Sequence, residues 1–286
     1  MRVAIREKAV GMLRFCLRFA GRRGKRLISA ALSEEGSHIP LSIERVATSR
    51  GVIAFYCLGD LPVWRAQTLF SKEPETIEWI DSFVTGDVFW DIGANVGIYS
   101  LYAARKPGVK VLAFEPASAN YALLNRNIEL NGLADRLHAF CIAFANGTRL
   151  DSLNMMSTEF GGALSSFGTP VDNHGNAFVP NFRQFTIGYT VDAFISQFQP
   201  EFPNHIKIDV DGIEDMIVAG AANTLKDPRV KSVSIELDDA RSDFTQSVID
   251  AIEGAGLKLS AKRHGEMFDD GVYRHIFNYH FHRIPA

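Results

Sequence analysis

The chain has 286 residues, 47% of them hydrophobic and 22% charged, with a formal charge of −3. That length buries one large core or two modest ones, and the near balance of charge gives no overall drive toward nucleic acid. Three scattered cysteines, Cys16, Cys57 and Cys141, exclude a disulfide framework, and no CxxC pair suggests zinc. A reducing, cytoplasmic setting fits this usage best.

The charge is unevenly spread. Residues 1–26 hold nine Lys/Arg against one acid, which leaves −11 on the rest of the chain. Arg14 and Arg18 break up the apolar runs, so neither a secretory signal core nor a membrane span is present there. Read as a helix, Arg14, Arg18 and Arg22 form one stripe and Val10, Leu13, Leu17 and Ala20 another. Such a basic amphipathic helix either docks on an anionic membrane surface or packs, solvated, on the domain. Residues 1–40 are read as this helical segment, 41–75 as a β-rich extension and 76–286 as the main domain.

Within the extension "GVIAFYC" reads as a strand, and "EPETIEWIDSF" as a helix with Pro74 in its first turn. From Asp87 onward strands and helices alternate. "DVFWDIG" is a strand, followed by a helix over about 96–105, and "VKVLAFEP" is the second strand. "ANYALLNRNIELNG" is a helix stopped by Asn131-Gly132, and "LHAFCIAFA" is a third strand. A long Gly/Ser/Asn-rich loop over about 157–181 comes next. Then follow the helix "TVDAFISQF", the strand "HIKIDVDG", one helix "IEDMIVAGAANTLKD", the strand "VKSVSIEL" and the helix "DFTQSVIDAIEGAG". "LKLSAKR" and "HIFNYHFHR" pair as a terminal hairpin. This spacing predicts an α/β fold, a doubly wound and mainly parallel sheet covered on both faces.

Such sheets bind ligands at the carboxyl ends of their strands, where the strand order reverses. That rule puts Asp91–Gly97, Glu115–Pro116, Ile142–Phe144 and Asp209–Gly212 on one rim. The loop "WDIGANVGI" does not fit a dinucleotide fingerprint, because a third-position glycine is replaced by Asn95 and a sixth by Ile98. Asp91, two residues before Gly93, would repel a pyrophosphate but suits an ammonium group. Gly93 permits a tight turn, Gly97 close packing of helix on strand, and Asn95 both donates and accepts. Glu115, at the end of the next strand, can accept from a ribose diol. An amine at one acid and a diol at the other describe S-adenosylmethionine better than a nicotinamide dinucleotide.

The blocks "DVFWDIGANVGIYSLYAA", "AFEPASANYALLNRNIELNG", "TVDAFI", "HIKIDVDGIEDMIVAGA" and "SIEL" resemble, in order, the FkbM family of class I S-adenosylmethionine-dependent methyltransferases. The resemblance covers roughly residues 70–240. It implies a Rossmann-like seven-stranded sheet and O-methylation of hydroxyls on sugars, polysaccharides or secondary metabolites. It carries the cofactor role onto Asp91, Gly93, Asn95 and Gly97, and the ribose-binding role onto Glu115. Pro116, Ile142 and Ala143 complete the expected cofactor rim. Asp211 stands where the family commonly has glutamate.

Methyl transfer to an alcohol needs alignment and a base near the acceptor. Asp209 and Asp211 share a strand face at the rim, with His205 just before them, and these three are the catalytic candidates. Asp209 acts either as base or as the group that orients the acceptor; Asp211 either joins it or caps the following helix. Asp209, Asp211 and Glu214 could hold Mg²⁺, but clustered acids more often serve a cofactor or a helix end, so no metal is expected. In the long loop, Ser165, Ser166 and Asn173 are candidates for sugar hydroxyls and Phe160 or Phe167 for a sugar face; Glu236 is a further rim carboxylate. His264 and His275 are weaker base candidates, and His280 and His282 read as ordinary edge-strand residues. The expected acceptor is a hydroxylated metabolite or glycan, with no nucleic acid. Alternatives are a nicotinamide-dependent oxidoreductase and a non-catalytic, membrane-docked binding protein.

Overall fold

A computed structural model describes residues 41–284; residues 1–40, where the basic helix is expected, lie outside the described residues. The extension pairs β1 (Leu41–Thr48) with β2 (Gly51–Leu58) and continues into α1 (Asp60–Gln67) and α2 (Pro74–Asp81). Pro74 opens α2, where its missing N–H costs nothing, and Glu75 sits in the first turn at the positive end of the helix dipole.

The alternation follows as expected with β3 (Val88–Ile92), α3 (Ile98–Ala104), β4 (Lys110–Phe114), α4 (Ser118–Leu130) and β5 (Leu137–Phe140). After an insertion it resumes with α5 (Val191–Phe198), β10 (His205–Ile208), α6 (Glu214–Gly220), α7 (Ala222–Lys226), β11 (Ser232–Asp238), α8 (Ser242–Gly254), β12 (Leu257–Arg263) and β13 (Ile276–Arg283). Among the described residues these strands form a seven-stranded sheet of order β12-β13-β11-β10-β3-β4-β5. β13 runs antiparallel to both of its neighbours, and every other pair is parallel. The chain lays β4 and β5 on one side of β3, then returns to place β10 on the other. The order therefore reverses between β3 and β10, the position where such sheets open a crevice.

Alternation along the strands divides the core into two layers. On β3, Phe89 packs with the cluster under α3 and α4, while Trp90 and Ile92 pack into the opposite cluster. There the Phe194 ring of α5 meets Phe114 edge-on at 5.5 Å and Phe140 at 5.7 Å.

Three expectations about the fold need correction. The stretch read as one long loop helps build a second sheet, order β6-β9-β7-β8, from β6 (Ala143–Phe144), β7 (Arg149–Met155), β8 (Ser165–Phe167) and β9 (Phe182–Tyr189). β9 turns Phe185 (78% exposed) and Ile187 outward and its polar Gln184 and Thr186 inward, the reverse of the pattern that marks a half-buried strand. The helix expected over "IEDMIVAGAANTLKD" breaks at Ala221, beside Gly220, where a Cβ would fall 2.3 Å from the Ala145 carbonyl oxygen. Finally, β13 is an interior strand, so His280 is buried within the sheet and not at its edge. Among the described residues no helix is long and apolar enough to cross a membrane.

Because Phe194 ties α5 to the aromatic layer on β4, Phe194→Ala should cost about 3–5 kcal/mol in urea unfolding; a loss below about 1 kcal/mol would contradict this packing.

Candidate functional site

The site grows from a lysine where an apolar residue is expected. All four residues of β10, His-Ile-Lys-Ile, are buried, and Lys207 is 1% exposed. It stands in register with Asp91 of β3 and Ser234 of β11. Its ammonium pairs with Asp209, two residues on and on the same face, and lies 3.6 Å from Glu73 Oε2 and 5.0 Å from the centre of the Tyr99 ring. Lys72 holds the other oxygen of Glu73. Burial disfavours the charge on Lys207, but Asp209, Glu73 and Asp91 outweigh it and raise its pKa above the ordinary value. Burial likewise opposes ionised Glu73, and Lys207 and Lys72 reverse that, holding its carboxyl far below the usual range.

Beside this cluster the chain leaves β3 through the glycine loop. Gly93 has φ +91°, and a Cβ there would fall 1.8 Å from the Asp209 carbonyl oxygen, so only glycine lets the two rim loops meet. Asn95 also takes a left-handed φ of 51°, which asparagine tolerates. Its backbone N–H donates to Glu115 Oε2 at 2.8 Å, and Ala117 N–H donates to Oε1 at 2.8 Å. Burial pushes the Glu115 carboxyl up to about 7. Asp91, also buried, accepts from Ser100 Oγ at 2.5 Å and is pushed by burial to about 6.

These groups surround a pocket of about 400 Å³ whose walls include Gly93, Asn95, Glu115, Asp209, Asp211 and Glu236. Pro116 and Ser165 line it too, with Trp64 and Tyr273 also in its walls. Asp91 opens instead into a small adjoining recess with Thr68, Gly93 and Ala94. Burial and the nearby Asp209 carboxylate push Glu236 well above the ordinary carboxyl range. A glycine-paired strap crosses the pocket: the Gly162 carbonyl accepts from Asn95 Nδ2 at 2.8 Å and Asn120 Nδ2 at 3.0 Å. Asp211 secures its far end by accepting the Ser165 N–H at 2.9 Å. Asp211 is not the helix cap, because α6 starts after Ile213 with no side-chain cap.

Several expected residues are placed elsewhere. His205 sits at the amino end of β10, below the rim, stacked on Phe83 at 3.9 Å and bonded to Ser232 Oγ and Asp87 Oδ2. Burial lowers its pKa to about 4, so it is a neutral, satisfied core histidine and not a catalytic one. Ile142 packs against the core beneath the second sheet and Ala143 pairs within it, so neither reaches the pocket walls. Ser166 is buried because alternate residues of β8 face opposite ways, so it cannot join Ser165. Phe167 is core and Phe160 packs on the other cluster. Gly97 caps α3 at φ +86° with Leu124 Cδ1 2.4 Å from a built Cβ, so it serves packing and not the pocket. His264 lines the pocket; His275 does not.

Sequence reading missed Lys72, Glu73, Lys207, Arg65 and Asn120. Lys207 carried a signal, a lysine inside an otherwise apolar strand; Lys72 and Glu73 carried none, since they reach the rim from more than a hundred residues away. Among the described residues, the carboxylates that could hold a metal together are Glu73, Asp209 and Glu236, within 4.8 Å. Glu214 turns to the Gly212 N–H at 3.1 Å, apart from that group. Lys72 and Lys207 already act as counter-ions to Glu73 and Asp209, which disfavours a divalent ion. What remains suits a ligand with one positive charge and a vicinal diol. Lys207→Met removes the ion-pair partner of Asp209 and one of the two partners of Glu73, leaving an excess of negative charge at the rim, so it should cost about 3–5 kcal/mol in denaturant unfolding; a change under about 1 kcal/mol would contradict the ion-pair geometry.

Comparison with known proteins gives the family. The family model for the methyltransferase FkbM domain matches residues 91–269, more than half of the chain. Methyltransferase 1 of Beauveria bassiana is 29% identical over 64% of this chain and 75% of its own length. The hexuronic acid methyltransferase AglP of Haloferax volcanii is 24% identical over 66% of this chain and 72% of its own. The 31-O-demethyl-FK506 methyltransferase FkbM of Streptomyces tacrolimicus is 26% identical over 62% and 75%. A nicotinamide-dependent oxidoreductase and a non-catalytic binding protein are thereby set aside. The chain belongs to the FkbM family of S-adenosylmethionine-dependent methyltransferases.

Proposed function

We propose that this methyltransferase methylates a hydroxyl of a saccharide, glycan or similar metabolite, with its domain over residues 76–286 and the 41–75 extension closing the pocket. The observation that carries this reading is Asp209: Lys207 holds its Oδ2, while its Oδ1 has no protein partner among the described residues and the residue lines the pocket. A carboxylate fixed in this way is placed to accept a proton from an acceptor hydroxyl. The name of the Haloferax relative, a hexuronic acid methyltransferase, supports a sugar-type acceptor.

We assign cofactor binding to Asp91 for the ammonium, Glu115 for the ribose diol, and Gly93, Asn95 and Pro116 for the walls. The pocket volume and the mixed acid and glycine lining fit that group. Bound there, S-adenosylmethionine supplies a methyl group that is already electrophilic. The protein then has two tasks. The glycine loop and Asp209 would orient the acceptor hydroxyl, and Asp209 would accept its proton at the oxygen that Lys207 leaves free. Glu236 and Ser165 contact the acceptor, and Asp211 keeps the strap that carries Ser165 in place.

Two experiments test this reading. Asp209→Asn should lower turnover on a hydroxylated acceptor about 10²–10⁴-fold, while isothermal titration shows S-adenosylhomocysteine still binding. Full turnover in that variant would exclude Asp209 as the base. The second uses pH. Ionised Glu115 and Asp91 accept hydrogen bonds, and their carboxyls lie at about 7 and about 6. Lowering the pH protonates both, so S-adenosylhomocysteine affinity should fall roughly 10- to 100-fold between pH 8 and 5.5. A flat profile would remove both acids from the cofactor site.

A further inference from the structure

Arg65 stands on α1, outside the matched domain, and lines both the main pocket and the recess that holds Asp91. Its Nε donates to the Gly161 carbonyl at 2.7 Å, which anchors one edge of the guanidinium to the strap. Its two terminal nitrogens have no hydrogen-bond or ion-pair partner among the described residues. Arg65 is near enough to Glu115 and Asp211 to favour their ionised forms, yet neither carboxylate comes within salt-bridge distance. A half-buried fork with one edge fixed and the other open is shaped for a planar anion.

The cofactor carries one such anion. Its amine and its diol have partners in Asp91 and Glu115, but its α-carboxylate must lie in a site crowded with acids, Glu73, Asp91, Asp209 and Glu236 among them. Without a cation beside it, that carboxylate would be repelled. The lysines and arginines in the pocket walls are Lys72 and Arg65. Lys72 lines both cavities as well, but its ammonium is already engaged by Glu73 and faces the carboxylates of Asp209 and Glu236. Arg65 is the cation left open, next to the recess where Asp91 takes the amine.

We propose that Arg65 grips the α-carboxylate of the cofactor's methionine tail, so that a residue upstream of the matched domain completes the cofactor site. The proposal rests on the cofactor lying between Asp91 and Glu115. It also gives the α1 segment a reason to sit over the glycine loop: the open edge of the fork is what it brings there.

The test compares two probes that differ by that carboxylate alone, S-adenosylmethionine and decarboxylated S-adenosylmethionine, by isothermal titration to the full chain. Arg65→Gln should weaken S-adenosylmethionine about 10- to 100-fold and change the decarboxylated probe less than about threefold. Arg65→Lys, which keeps the charge without the fork, should recover part of the loss and guards against a glutamine variant that fails to fold. Unchanged S-adenosylmethionine affinity, or an equal loss for both probes, overturns the proposal; the second result would mean that Arg65 only anchors the strap. Asp91→Ala and Glu115→Ala, titrated alongside, should weaken both probes. If they weaken neither, the placement of the cofactor fails, and the Arg65 contact falls with it.

Discussion

A single buried cation organises the rim of this sheet. Lys207 points its ammonium into a space with little water, where an unpaired charge would cost several kcal/mol, and the surrounding carboxylates make that burial tolerable. Asp209 comes from its own strand, Asp91 from the neighbouring strand, and Glu73 from the extension. Three distant parts of the chain are thus drawn to one point by charge. Hydrophobic packing alone would not select that point, since it rewards any arrangement that buries enough apolar area. The same pairing fixes the orientation of the Asp209 carboxylate, with one oxygen held by Lys207 and the other turned to the pocket.

The second constraint is steric. The order reversal between β3 and β10 separates the chain's exits from these two strands, and Gly93 then lets the loop after β3 close onto the backbone of Asp209. A side chain at Gly93 would force the two rim loops apart and widen the gap between Asp91 and Glu115 on one side and Asp209 on the other. Charge gathers the groups and glycine sets their spacing. The strap through Gly161 and Gly162 closes the pocket with backbone carbonyls bonded to Asn95, Asn120 and Arg65, so its order depends on the groups that line the site.

Much of this was legible in the sequence. The strand–helix alternation marked the main sheet, and acids at strand ends identified Asp91, Glu115, Asp209 and Glu236, because a parallel sheet sends all such ends to one rim. Contributions from elsewhere were not legible. Glu73 and Lys72 precede an ordinary helix start, and nothing local shows that they fold back onto β10. His205 misled by proximity: two residues before Lys207 on the same face, it lies a strand's length below the rim, where Asp87 and Ser232 use both ring nitrogens. The second sheet escaped because β9 exposes Phe185 and Ile187 more than the polar Gln184 and Thr186 between them. Ser166 failed for the opposite reason, since treating its segment as a loop ignored the alternation that a strand imposes.

In the reading proposed above, the pocket at the β3/β10 switch holds the cofactor with its sulfur toward Asp209. A crystal structure with S-adenosylhomocysteine tests it most directly. The ribose hydroxyls are expected within hydrogen-bonding distance of Glu115, the amine at Asp91 and the sulfur facing the Asp209 carboxylate across Gly93. A homocysteine tail directed away from Asp209, or a ligand seated outside this pocket, would contradict it.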